Sequence, residues 1–270
     1  MNFAGVKAIT IPEGDVKSIA IGGATVWEKP SQIPYVADGL VAWWDGIWNA
    51  GLGVHDAAAT VWKDLAGGND ATWQGPALNA STWHWLADGF DFSATDANKR
   101  YWKTGAASSA VRDAINSGAA TLEFAAPRLA NNGCIIHIAN DTLVDNLVAV
   151  FANDNLQFAI HRAWNNGRSN LAFARNSAGS AAYVATAFSV AGKQFKNGSL
   201  KGNGATPDPS AADAASNAYI ALGGFASSSL TSSGRNYQGS INCIRIYNRA
   251  LTDAEVAANY AADKERFGLP

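Results

Sequence analysis

A chain of 270 residues, 48% apolar and 16% charged, can bury a large core and carries too little charge for intrinsic disorder. Its net charge of −2 gives no field that would draw nucleic acid or an acidic membrane surface, and no stretch approaches the ~18 uninterrupted apolar residues of a membrane span. With 26 Gly and 10 Trp against 1 Met, the composition suits many strands and tight turns better than helices.

In the first twenty positions, Lys7, Glu13, Asp15 and Lys17 interrupt every run long enough to be a secretion signal, so folding is expected in the compartment of synthesis. Residues 1–29 read as a small β-meander. Strands are predicted at 6–11, 16–21 and 24–28, separated by Pro12-Glu13-Gly14-Asp15 and by Gly22-Gly23. Strands this short bury little, and the module is expected to need a partner surface or a second copy. Pro30, Ser31, Gln32 and Pro34 then form a stiff linker, which sets the domain boundary.

From Tyr35 to Tyr247 the pattern is strand after strand. Strands are predicted at 39–44, 119–125, 133–139, 146–152, 155–162, 169–175, 181–190, 193–200, 219–225 and 238–247, with one short helix over 108–117. Turn chemistry at Asn153-Asp154, Asn165-Asn166-Gly167, Asn197-Gly198 and Ser233-Gly234 divides them. Connections this short imply antiparallel pairing, and a succession of strands without regular helices implies two packed sheets. The expected fold is all-β, an antiparallel two-sheet jelly-roll sandwich over residues 35–270. Cys134 and Cys243 each sit in an apolar run and read as buried free thiols. At the C-terminus, Thr252-Asp253-Ala254-Glu255 is a capping box opening a helix to about Phe267, with Gly268 as its left-handed stop and Val256, Tyr260 and Phe267 as its docking residues.

Two stretches carry a resemblance. Gly39-Leu40-Val41-Ala42-Trp43-Trp44-Asp45-Gly46 with Trp62-Lys63-Asp64-Leu65-Ala66-Gly67-Gly68-Asn69-Asp70, and Tyr237-Gln238-Gly239-Ser240-Ile241 with Ile244-Arg245-Ile246-Tyr247 through Val256, resemble laminin-G-like, concanavalin A-type sandwich domains of bacterial and phage proteins. Phe195-Lys196-Asn197-Gly198 is similar to a hairpin of the same family. Residues 5–29 resemble the short leader of phage and prophage appendage proteins. The resemblance implies a virion-associated protein: residues 1–29 join it to other virion proteins, and the sandwich contacts host-surface glycan or decorates the particle. A homo-oligomer would fit such a role. A bacterial surface lectin or adhesin module is the competing expectation, with a degenerate glycan hydrolase dependent on Glu123 as the third.

Glycosidases on this fold resemble one another in placing acids at alternating positions of one strand, so that a proton donor and a nucleophile flank the scissile bond. Between Tyr35 and Tyr247 the only glutamate is Glu123, whose neighbours at two-residue spacing are Thr121 and Ala125. A protein that is not an enzyme is therefore expected. His55, His84, His137 and His161 lack zinc-ligand spacing, and no nucleophile elbow or phosphate loop occurs. No cofactor is expected. Asp45, Asp64, Asn69 and Asp70 could ligate a structural calcium ion at the sandwich rim, although capping of turns by the same oxygens is favoured.

Tryptophan supplies the candidate sugar contacts. Trp83 and Trp85 share one face of a strand, as core residues or as a stacking platform. Trp164 stands beside Asn165, Asn166 and Arg168 in a turn, where an aromatic face and hydrogen-bonding groups together suit a sugar. Trp102, next to Arg100, Tyr101 and Lys103, has similar company.

Overall fold

The computed structural model describes residues 18–21, 24–28, 33–92, 100–117, 120–126, 133–140, 146–152, 158–160, 171–172, 182–187, 193–203, 216–224 and 236–269. The chain divides into two compact units, residues 1–33 and 34–270. In the first, β1 (Ser18–Ile21) pairs antiparallel with β2 (Ala24–Glu28), Ile19 opposite Trp27, with a bulge between Ile19 and Ala20. These are the second and third strands of the expected meander. The strand predicted at 6–11 lies outside the described residues.

The second unit holds three antiparallel sheets among the described residues. The largest has eight strands in the order β13 (Leu171–Ala172), β12 (Phe158–Ile160), β11 (Asn146–Ala152), β10 (Gly133–Ala139), β17 (Tyr219–Leu222), β8 (Trp102–Thr104), β5 (Ala71–Trp73) and β4 (Val61–Trp62). A six-stranded sheet runs β16 (Ser199–Asn203), β15 (Lys193–Lys196), β14 (Ala182–Ala187), β9 (Thr121–Ala126), β19 (Cys243–Tyr247) and β3 (Leu40–Asp45). A small sheet joins β18 (Ser240–Ile241), β7 (Phe90–Asp91) and β6 (His84–Trp85). Helices α1 (Ser109–Ser117) and α2 (Asp253–Phe267) complete the unit. The all-β sandwich with a C-terminal helix is as the sequence predicts.

Alternation along the strands explains the layers. In the six-stranded sheet Ala42, Trp44, Leu122, Phe124, Ala126, Ile244 and Ile246 point inward, meeting Trp62, Trp102, Ile136, Ile138, Ile220 and Leu222 of the eight-stranded sheet in one buried core. The intervening residues Trp43, Ala125, Cys243 and Tyr247 point the other way, into a second buried cluster with Tyr35, Val256 and Phe267. Helix α2 therefore forms a third layer, and β9, β19 and the end of β3 are buried on both faces. Val111, Ala114 and Ile115 of α1 belong to the first core. Cys134 and Cys243 are free and buried, as expected.

Several boundaries differ from the sequence reading, for physical reasons. The predicted strand 193–200 is a hairpin, because Asn197 (φ 50°) and Gly198 (φ 70°) both take the left-handed conformation that a type I′ turn demands. A Cβ on Gly198 would also lie 2.9 Å from the Tyr260 ring. The predicted strand 238–247 breaks at Asn242, which donates its N–H to Ala125 O and accepts at its carbonyl from Gly46. That break lets β18 and β19 serve different sheets. Strands β4 to β8, each of two or three residues, were too short to carry a periodic signal.

Helix α2 begins with the expected capping box, in which Thr252 Oγ1 accepts from the Glu255 N–H at 3.2 Å and Glu255 Oε2 accepts from the Thr252 N–H at 2.8 Å. Gly268 closes it with φ 62°. Thr252→Ala should lower unfolding free energy by about 1 kcal/mol in denaturant titration. Hydrogen bonds from Arg249 and the Thr252 N–H hold the Glu255 carboxyl well below its usual range, at about 2. Its folded-state value is depressed, so its contribution is fully present above pH 4.5 and is lost as pH falls toward 2. Glu255→Gln should remove that part of the acid dependence of stability in urea melts.

Candidate functional site

The structure places the predicted tryptophans in two groups. Trp83, Trp85 and Trp102 are 4%, 5% and 0% exposed. The Trp85 ring lies 5.1 Å from Trp62, 5.0 Å from Phe90 and 5.2 Å from Trp102, and Trp83 is covered by Trp73 at 6.4 Å and the Arg100 guanidinium at 5.6 Å. A sugar cannot reach these faces. The stacking-platform expectation is corrected for all three, because β6 and β8 turn their apolar faces inward onto the core. Trp164, Asn165, Asn166 and Arg168 lie outside the described residues.

The oxygen-rich loop caps turns, the favoured sequence reading. Asp64 Oδ1 accepts from the Trp43 and Ala66 N–H groups at 2.8 and 3.0 Å, and its Oδ2 accepts from the Asn69 N–H and side chain at 3.1 and 2.7 Å. Asp70 takes the Asp64 N–H at 3.0 Å and Lys63 at 2.6 Å. Asp45 accepts from the Ile47 and Trp48 N–H groups and from both terminal nitrogens of Arg266.

Glu123, the lone sandwich glutamate, sits beneath α2 with no exposed surface. Its Oε2 accepts from Arg245 Nε at 2.9 Å and from Asn259 Nδ2 at 2.8 Å. Arg245 also grips Asp263 through two parallel bonds of 2.8 and 2.7 Å, and its guanidinium stacks 3.8 Å over the Tyr35 ring. Burial raises the Glu123 carboxyl above its usual value, against the pull of Arg245. This is a buried ion-pair layer holding a helix to a sheet. No local motif signals it, since its members are spread from Tyr35 to Asp263.

On the outer face of the eight-stranded sheet, the part carried by β5 and β8 is accessible. Register sets Thr72 opposite Lys103, Lys103 opposite Ala221, and Ala221 opposite His137, so these side chains form one row across β5, β8, β17 and β10. The Gln74 N–H donates to Tyr101 O at 2.9 Å, placing Gln74 beside Tyr101 one step along. Thr72 and Gln74 are exposed, Tyr101 and Lys103 half-buried, and together they make a two-by-two patch of hydroxyl, amide, phenol and ammonium. Behind it Tyr219 packs with Ala139, Ala221 and Tyr101, its ring 6.1 Å from that of His137. Burial pushes the Tyr101 phenol upward, which keeps it a neutral donor at physiological pH. The sequence reading named Trp102 and missed its neighbours Tyr101 and Lys103 as the outward pair. A strand longer than β8 would have shown their alternation.

These layers define an antiparallel β-sandwich with a helix packed on the outer side of one sheet. No protein-family model and no curated protein matches the sequence. Among solved structures, the chain is similar to a Trypanosoma rangeli sialidase in complex with sialic acid, at 15% identity and a TM-score of 0.55, over 93% of this chain and 36% of that one. It is similar also to a mutant of that sialidase displaying trans-sialidase activity (14%, TM-score 0.53, covering 86% and 34%) and to a receptor binding domain (12%, TM-score 0.60, covering 83% and 51%). The chain thus spans about a third of the sialidase chains and half of the receptor binding domain. At such identities the likeness establishes the fold. It also overturns the expectation of a protein without catalysis, since enzymes carry this sandwich within their chains.

Three substitutions test the buried layers. Glu123→Ala, which strips a buried partner from Arg245, should cost about 3–5 kcal/mol, with Glu123→Gln far milder because it retains an acceptor for Arg245. Trp102→Ala should cost about 3–5 kcal/mol as a core truncation, measured by chemical denaturation.

Proposed function

We propose that the sandwich recognises carbohydrate on a host surface through the outer face of its eight-stranded sheet, and that the chain is a virion component attached to other virion proteins through residues 1–29. The observation carrying the first part is the patch of Thr72, Gln74, Tyr101 and Lys103. A half-buried phenol ring beside hydroxyl, amide and ammonium groups matches what a sugar offers, an apolar C–H face ringed by hydroxyls. Tyr219 and the alanines behind the patch are packed, so its geometry is preorganised. Likeness in fold to a sialidase solved with sialic acid and to a receptor binding domain agrees with this reading. Trp164, with Asn165, Asn166 and Arg168, is the second proposed contact, on the chemistry of its turn.

The virion part rests on the resemblance of residues 5–29 and of the closing strand and helix cap. Mass spectrometry of purified particles should find the chain. Particles that lack it, with the chain instead at a bacterial surface, would favour a cellular lectin and end the virion reading.

On a glycan array, Tyr101→Ala and Trp164→Ala should each weaken binding by roughly 1–2 kcal/mol, the scale of one stacking anchor, with melting temperatures close to that of the parent. Unchanged affinity in both variants would remove these surfaces from the proposal.

A further inference from the structure

We infer that the outer patch selects sugars bearing a carboxylate, with Lys103 as the group that receives it. The inference rests on the carbohydrate reading above and narrows its ligand class.

The ammonium of Lys103 lies 4.2 Å from the centroid of the Tyr219 ring. That ring is 6% exposed and fixed by Ala139, Ala221 and Tyr101, so it fixes the lysine in turn. A ring face attracts a cation through its quadrupole but accepts none of the three N–H donors as a carboxylate would. Five other cations of this unit are matched differently: Lys63 holds Asp70, Lys193 holds Asp253, Arg245 holds Glu123 and Asp263, Arg249 holds Glu255, and Arg266 holds Asp45. Among the described residues no carboxylate lies within ion-pair distance of Lys103. A positive charge is therefore held at a preset position, half-buried, with its hydrogen-bonding capacity unspent on the described residues.

The surroundings choose the kind of anion. Thr72, Gln74 and Tyr101 offer neutral donors and acceptors suited to ring hydroxyls, and the single ammonium matches one negative charge. A phosphate dianion ordinarily draws guanidinium forks, and the four patch side chains include none. A carboxylate on a sugar ring satisfies both halves, with its oxygens on Lys103 and its hydroxyls on the neighbours.

The test is titration calorimetry of the full chain with oligosaccharides ending in glucuronic acid or N-acetylneuraminic acid, and with the same sugars after reduction of the carboxyl to an alcohol. The parent should prefer the acidic forms by about tenfold at low salt, the scale of one charge-assisted hydrogen bond, with the preference shrinking as salt rises. Lys103→Met should abolish the preference while keeping the affinity for reduced sugars, and Lys103→Arg should retain it. Equal binding of acidic and reduced sugars by the parent, or a preference that survives Lys103→Met, would overturn the inference and leave the carbohydrate reading intact. A parent that binds neither acidic nor neutral sugars would sink both.

Discussion

The second unit is organised around one buried guanidinium. Arg245 sits in the middle of β19, paired with Trp43 of the edge strand β3 on one side and Glu123 of β9 on the other, and its side chain emerges under α2. An unpaired charge there would be prohibitive, so the fold must bring acids to it. Glu123 arrives across one ladder and Asp263 arrives on the helix. Because Asp263 and Asn259 are four residues apart they share a helix face, and their bonds to Arg245, Glu123 and Tyr247 fix the rotation of α2 about its axis. Arg266 repeats the arrangement three residues on, reaching Asp45 at the end of β3. Such ion pairs add little net stability compared with an apolar packing, but they permit one register of helix on sheet.

The same layer explains how a helix of mixed character docks at all. The buried face of α2 comprises Val256, Asn259, Asp263 and Phe267, only half of it apolar. The apolar contacts at its two ends supply burial, and the polar pair between them supplies position. Tyr35 and Cys243 fill the space around the guanidinium, the ring face against its plane and the thiol 3.0 Å from one nitrogen. Burial raises the Cys243 thiol far above its usual value, which leaves it a neutral, inert packing group despite the neighbouring arginine.

Much of this architecture was legible in the sequence where local rules act alone. The strand 133–139, the helix near 108–117, the Thr252–Glu255 box and the Gly268 stop follow from periodicity and capping chemistry within a few residues. What sequence could not disclose is pairing at long range. Glu123 and Asp263 are 140 positions apart by their numbers, and nothing in either neighbourhood points to the other. A lone glutamate on a strand was weighed as an acid, when its partner set makes it a counter-ion. The tryptophans mislead for a related reason: Trp83 and Trp85 alternate as platform residues would, but alternation names a shared face without saying which side that face looks toward.

That ambiguity also determines where recognition can reside on this fold. β9 and β19 of the six-stranded sheet are closed on both faces, by the tryptophan-rich core and by the Arg245 layer, and a change there is felt as a loss of packing. In the eight-stranded sheet β10 and β17 are likewise buried on both faces, and β5 and β8 keep an outer side that the core does not close. On the outer side of the sheet, small residues such as Ala139 and Ala221 sit between larger ones, and the exposed positions of β5 and β8 are polar without being structurally committed. Thr72 and Gln74 can change with little effect on the ladder, since the ladder is backbone and the cross-strand pair Trp73 and Trp102 anchors it from beneath. A sheet anchored on one side by packed indoles and free to vary on the other is a support on which surface chemistry can be altered without refolding the chain. The fold therefore concentrates its stability on one face of these strands and leaves the opposite face for contact.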